Sequence, residues 1–278
     1  MLNTRNIDAR NFSWTTNLNV SFNKNTIQKL YGDSLLDNYN RAYYRYEGED
    51  LNVIKAIRYV GVNPDNGAPL FENYDASGKK QVTEGIGAMS DIRNYQTVGS
   101  ATPKFFGGFT NTFTYKQFSL SAEMWFQVGN YTAMSLINNF QSPTAPFLGR
   151  NNVNWQSSQK VWQQPGDKNA NYPDVYSSKM DTWRAFDSRS SLIYGNASHI
   201  RMRNIRIGYD LAQKTLTKIR AQRAGVFVSM DNVFVIKHKD YVGADPEGAS
   251  IGISTAYGGV GIGNANPRRI TAGLNVTF

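Results

Sequence analysis

Residues Arg269 to Phe278, RITAGLNVTF, alternate without a break. Ile270, Ala272, Leu274, Val276 and Phe278 are apolar, and the residues between them are polar or small. A period of two predicts a strand with one greasy face and one wet face. Free chain ends are ordinarily polar and frayed. A final Phe is therefore read as the end of a strand that meets lipid, where aromatic side chains suit the boundary. Phe12 to Phe22 repeats the pattern, with Phe12, Trp14, Thr16, Leu18, Val20 and Phe22 on one side and Ser13, Thr15, Asn17, Asn19 and Ser21 on the other. Phe118 to Val128 does so again, and with Phe105 to Tyr115 it forms a hairpin that turns within a residue or two of Lys116.

Four further strands are predicted. Val53 to Val62 and Leu70 to Asp75 flank the tight-turn run Pro64-Asp65-Asn66-Gly67, in which Asn-Gly suits positive φ. His199 to Leu211 and Gly225 to Ile236 each change phase once, near Asn204 and near Asn232, as a β-bulge would cause. The total is about eight strands. Connections near Asn66, Lys116 and Thr215 are short or middling, whereas those after Asn25, Gly78, Gly129 and Lys237 are long. Short turns at one rim and long loops at the other are the habit of outer-membrane barrels. The long connection after Gly129 also allows short amphipathic helices near Thr132–Phe140 and Asn154–Val161.

Composition adds limits. The chain has 278 residues, 40% of them hydrophobic and 13% aromatic, with 24 Gly and no Cys. Mean hydropathy is −0.48, and no stretch approaches the ~18 consecutive apolar residues of a membrane helix. A polar average is nevertheless expected of a barrel, where only every second strand residue faces lipid. The formal charge of +9 raises nucleic acid as a partner, but Lys and Arg form no run of five or more. The excess is read instead as solvated turns and an anion-attracting interior. The opening MLNTRNIDARNF lacks the apolar segment of an export signal. The chain is therefore expected to be a piece of a longer exported protein.

Several segments resemble one family, in order. They are Asn11-Phe12-Ser13-Trp14 with Asn19 to Asn25; Tyr59 to Gly67; Pro103 to Gly108 with Phe113-Thr114-Tyr115-Lys116 and Phe118 to Ser121; Ser198 to Tyr209; Val228 to Phe234; and Gly243-Ala244-Asp245-Pro246-Glu247. Together with the terminal Phe they resemble the C-terminal part of SusC/RagA-type TonB-dependent outer-membrane transporters. The run Trp162 to Asp167 departs from the family pattern.

The resemblance implies an all-β fold. Residues 1–278 would be the C-terminal portion of an antiparallel transmembrane barrel, supplying about eight of ~22 strands, with the plug domain and signal peptide absent. It implies import of oligosaccharides or peptides across the outer membrane, with a SusD-like lipoprotein, and energy coupling to TonB through the missing plug. No enzyme activity and no cofactor are implied. Thr271, Gly273, Val276 and Phe278 resemble the C-terminal signal read by the barrel-assembly machinery. Two other readings fit the residues alone: an autonomous small barrel serving as a pore or adhesin, and a soluble carbohydrate-binding sandwich.

Candidate chemistry is sparse. Trp155, Trp162, Tyr172 and Trp183 share the longest connection. Aromatic faces there would stack on sugar rings or on peptide side chains, or else form the loop's own core. Asp167 to Asn171 starts like a calcium loop, but Tyr172 stands where Gly is needed and Ser178 where Glu is needed. His199 and His238 are the only histidines and form no metal pair. Asp245-Pro246-Glu247 reads as a loop-shaping element. Arg201, Arg203 and Arg206 reach one interior face if the chain slips at Asn204, as contacts to a plug or an anionic ligand or as an internal salt-bridge network.

Overall fold

The computed structural model describes residues 1–30, 46–85, 91–134, 160–173, 189–243, 245–247 and 266–278. In chain order the strands are β1 (Leu2–Ala9), β2 (Phe12–Ser21), β3 (Val53–Ile57), β4 (Tyr59–Val62), β5 (Pro69–Tyr74), β6 (Lys80–Glu84) and β7 (Tyr95–Ser100). There follow β8 (Phe105–Tyr115), β9 (Phe118–Val128), β10 (Tyr131–Ala133), β11 (Tyr194–Asn196), β12 (His199–Asp210), β13 (Arg223–Lys237) and β14 (Arg269–Thr277), with one helix, α1 (Gln213–Ile219), between β12 and β13.

A seven-stranded antiparallel sheet, in the order β1-β2-β8-β9-β12-β13-β14, carries the long strands. This corrects the strand list read from the sequence. Leu2–Ala9 joins the wide sheet, while the segments expected as strands at Val53–Val62 and Leu70–Asp75 build two small sheets, β3-β7 and β4-β5-β6. The physical reason lies in exposure. All five residues of β3 are buried, so that strand is covered on both faces and cannot present one face to solvent. The wide sheet instead exposes its apolar side: Leu120, Ile200, Ile207, Val226, Val228, Phe234, Ile270 and Leu274 are each more than a third exposed.

Register explains which residues share that side. Trp14 pairs with Phe113, Phe113 with Leu120, Leu120 with Ile207, Ile207 with Val228 and Val228 with Ala272. Directly opposed residues of an antiparallel pair point the same way, so this row runs unbroken across six strands. The register shifts between Met202 and Asn204 in both of β12's ladders, and Asn232 has φ +52°. Both predicted phase slips are therefore real. Aromatic residues mark both ends of the apolar side. Phe12, Tyr115, Phe118 and Tyr209 line the short-turn end, with Phe118 and Tyr209 at 4.8 Å. At the other end Phe105 lies 6.1 Å from Phe22 and 6.2 Å from Phe126.

Polar residues on the apolar side are paired laterally. The Trp14 indole Nε1 and the Thr16 hydroxyl each donate to Asn111 Oδ1 at 2.8 Å, and Asn6 Nδ2 donates to Thr16 Oγ1 at 2.6 Å. Where water is scarce, a polar group left without a partner is costly, and here the donors are satisfied within the sheet.

Connections alternate strictly. Arg10-Asn11, Lys116-Gln117 and residues 211–222 turn the chain at one end, while residues 22–104, 129–198 and 238–268 cross the other. The turn at Asn66 belongs inside the first long connection. The middling connection near Thr215 contains α1, whose Leu216 packs with Ala221 and Ala224. Of the expected helices, Thr132–Phe140 begins instead with β10, and its remainder, like most of Asn154–Val161, lies outside the described residues.

The main buried core lies in the connections and not against the sheet. Ile57, Phe71, Tyr95, Met134, Tyr172, Ile193, Tyr241 and Val242 belong to one cluster, drawn from all three long connections. A soluble sandwich would bury the sheet's apolar side under a second layer; this molecule leaves it open and packs its loops together.

Candidate functional site: the loop core and the charged polar face beneath it

The alternation of β12 sends His199 and Arg201 to the sheet's polar face, with Ile200 on the opposite side at 43% exposure. The slip at Asn204 then keeps Arg203 and Arg206 on that same polar face despite their opposite parity. Over these residues folds the start of the last long connection, 238–268. Its run Asp245-Pro246-Glu247 is shaped locally: Glu247 N donates to Asp245 Oδ1 at 2.9 Å, and Tyr241 Oη donates to the Asp245 carbonyl at 3.2 Å.

The two segments, more than forty residues apart in sequence, meet through charge. Arg201 Nη2 binds Asp245 Oδ1, and the two side chains are 4% and 5% exposed. Arg201 Nε stands 2.9 Å from Glu247 Oε2, close enough for charge pairing but off the line of a hydrogen bond. His199 Nε2 lies 3.1 Å from Glu247 Oε1 and its Nδ1 lies 2.8 Å from the Ala197 carbonyl. Both ring nitrogens thus face oxygen atoms. Arg203 Nη2 approaches Glu247 Oε1 at 3.5 Å. The salt-bridge network anticipated for these arginines is present at Arg201 and Arg203, with Asp245 and Glu247 as its acid side, whereas Arg206 lies over the Phe227 ring at 4.1 Å.

Electrostatics follow the geometry. Burial pushes the Glu247 carboxyl up, but the His199 hydrogen bond and the charges of Arg201, His199 and Arg203 outweigh it and hold the group below the usual Glu value. Burial, with the Asp245 charge behind it, pushes the Tyr241 phenol up to about 12. Tyr241 thus stays protonated and keeps its bond to Asp245. Lys237 Nζ donates to the Gly243 carbonyl at 2.6 Å, fixing the loop a second time.

The loop aromatics are placed in part. Tyr172 is 7% exposed and belongs to the shared core. Trp162 is half-buried, with its indole Nε1 donating to the Pro64 carbonyl at 2.9 Å, so the segment 160–173 packs on the turn before Asn66. Trp155 and Trp183 lie outside the described residues. The structure does not bring the run Asp167 to Asn171 into a metal cluster, and no group of three or more His, Cys, Asp or Glu suited to an ion occurs among the described residues. His238 sits 3.5 Å from Asp240, and its backbone N–H donates to the Ser198 carbonyl at 2.9 Å. At the far end of the polar face, Gly273 pairs with Phe227, and a Cβ at Gly273 would meet that ring at 2.4 Å. Phe278 is 80% exposed.

Sequence reasoning had not singled out Trp125 and Phe106. Both occupy polar-face positions, Trp125 opposite Gly108 and Arg201. Their rings lie 5.9 Å apart, and the Arg203 guanidinium covers Trp125 at 4.5 Å. The available signal was a Trp in a wet-face register between Glu123 and Gln127.

No family profile matches the chain. Individual proteins do. "TonB-dependent receptor P3" of Formosa agariphila is 28% identical over 304 residues, an alignment that takes in all of this chain and 28% of that receptor. "TonB-dependent receptor SusC" of Bacteroides thetaiotaomicron is 24% identical, again over the whole chain. The chain is a relative of the SusC-type TonB-dependent receptors. It spans about 28% of the length of the first such relatives. Among solved structures, that of the RagAB peptide transporter superposes with a TM-score of 0.74 over 99% of this chain and 28% of the matched one, at 20% identity. A second, of the RagAB peptide importer in the "closed-closed" state, gives 0.73.

The wide sheet is accordingly a segment of an antiparallel transmembrane β-barrel, the fold it shares with the RagAB structures, and the chain is an outer-membrane one. Its apolar side faces lipid and its polar side faces the lumen. These similar proteins are named as receptors and transporters.

Proposed function

We propose that residues 1–278 form the C-terminal portion of the barrel of a TonB-dependent transporter, which imports oligosaccharides or peptides together with a SusD-like substrate-binding lipoprotein. The observation that carries this reading is the common loop core. All three long connections contribute to it, and the buried Arg201–Asp245 pair ties it to the lumen wall. A passive pore needs no such shared cap, and loops that are both long and packed are usually functional.

In this reading the cap is the surface that meets the lipoprotein. Trp155, Trp162 and Trp183 contact substrate, while Tyr172 supports them from within the core. Coupling to TonB runs through a plug supplied by the whole protein, and Thr271, Gly273, Val276 and Phe278 serve as the assembly signal. The test is an in-frame deletion of the complete reading frame in its native host. Growth on oligosaccharide or peptide pools should fail selectively, and an affinity-tagged transporter should retain a lipoprotein through detergent extraction. Unimpaired growth on every pool, with no lipoprotein retained, would refute it.

A further inference from the structure

The arginines on the lumen face of β12 are not equally committed. Arg201 is buried and engages both Asp245 and Glu247. The two oxygens of Glu247 already face Arg201 Nε at 2.9 Å and His199 Nε2 at 3.1 Å. Arg203 comes third, at 3.5 Å from an oxygen that His199 holds, beyond the 2.7–3.2 Å of a good N–H···O bond. Glu123, opposite Asn204 on β9, forms no ion pair with Arg203 among the described residues. Arg203 remains 42% exposed. Its guanidinium carbon stands over the Trp125 ring, 4.5 Å from the ring centre, and the Phe106 ring centre is 5.9 Å from that of Trp125.

The backbone contributes to this placement. Arg203 is the extra residue of β12 where its register shifts against β9, while against β13 the extra residue is β13's own, and bulges re-aim side chains at functional surfaces. An arginine stacked on an indole keeps the N–H edge of its fork open, and that edge matches a carboxylate in two-point geometry. The rings beside it offer an apolar face to whatever bears the carboxylate.

The geometry points to a lumen-wall subsite, formed by Arg203, Trp125 and Phe106, for a carboxylate carried on or beside a ring or apolar group of the substrate. A uronic-acid sugar and the C-terminus of a peptide share that chemistry. This subsite rests on the transporter reading, and the experiment separates the two.

The full-length protein that carries this chain is purified from outer membranes. Binding is measured by calorimetry for two matched pairs: trigalacturonate against its methyl ester, and Ala-Ala-Phe against its C-terminal amide. The wild type should bind the acidic member of at least one pair about tenfold more tightly, the scale of one charge-assisted contact. Arg203→Gln should bring that ratio near one and leave the neutral probe unchanged, while Arg203→Lys, which keeps charge but loses the fork, should fall between. The pair that responds identifies the source. If Arg203→Gln fails to reach the membrane, Trp125→Leu is read for the same loss of ratio. An unchanged ratio in the variants, or no acidic preference in the wild type, overturns the subsite. If the wild type imports neutral oligosaccharides or peptides but shows no acidic preference, only the subsite falls. If it binds and imports nothing of either class, the transporter reading falls with it.

Discussion

Arg201→Met tests whether the last long connection is held to the lumen wall by charge. The substitution keeps an apolar stem of similar length and removes the cation. Asp245, 5% exposed, and Glu247, 19% exposed, then face each other without Arg201 between them. Breaking one side of a buried ion pair costs ~3–5 kcal/mol. The lower end applies here, because Asp245 keeps the Glu247 N–H at 2.9 Å and Glu247 keeps His199 at 3.1 Å. About 3 kcal/mol is a factor on the order of 100 in the loop-opening equilibrium. Hydrogen exchange of the peptide spanning 238–247 reads it directly, since the amides of Tyr241 and Glu247 are bonded within that segment. Protection should fall about 100-fold there, with β13 and β14 unaffected. The double variant Arg201→Met/Asp245→Asn removes both buried charges and should lose distinctly less than the single one. The exposed Arg5–Asp8 pair, with side chains 62% and 57% open, supplies the control: Arg5→Gln should cost at most ~1 kcal/mol. A loss of under fivefold for Arg201→Met, or a double variant equal to the sum of the singles, would refute the reasoning.

Three further outcomes are expected. Glu247 is held below its ordinary value in the folded loop, so its contribution is complete above about pH 4.5 and is lost as the pH falls through the lowered value; protection at 238–247, measured against the intrinsic exchange rate at each pH, should fall on acidification and become pH-independent in Glu247→Gln. Asn111→Leu strands the Trp14 and Thr16 donors on the lipid-facing side and should lower barrel stability by ~1–3 kcal/mol, measured by the denaturant midpoint in detergent, while the triple variant with Trp14→Phe and Thr16→Val recovers most of it. Gly107→Ala would place a Cβ 2.0 Å from the Asn19 backbone oxygen; the backbone must shift, so heat-modifiable folded protein should drop sharply, and trimming Phe126 should not restore it.

The strands that face lipid were legible because their chemistry repeats every second residue. β2, β9 and β14 declared themselves in this way, and the slips at Asn204 and Asn232 were visible as changes of phase. β1 was not, because its register shift between Arg5 and Ile7 scrambles the alternation of LNTRNIDA. β3 misled for the opposite reason: VIKAI is apolar enough to be a strand, but its burial on every residue puts it inside the loop core. Arg201 and the Asp-Pro-Glu run were each noticed, yet nothing in a spacing of forty-four residues says that they touch. That contact depends on how one connection folds over another, which alternation does not encode. Trp125 was hidden by its register, since an indole at a wet-face position looks like an exception until Arg203 is found lying on it.

The aromatic rows at the two ends of the lipid-facing side also act as a gauge. From Phe12 to Phe22 the chain advances ten residues, about 33 Å along a strand at ~3.3 Å per residue. A tilt of about 40° projects this to about 25 Å along the membrane normal, the height of the apolar band of outer-membrane barrels. Average bilayers have hydrocarbon cores nearer 30 Å, and the bacterial outer membrane is thinner than average. The rings therefore record the thickness of the bilayer the protein is built for. In a thicker one, both rows could not reach their interfaces unless the lipid thinned around the barrel.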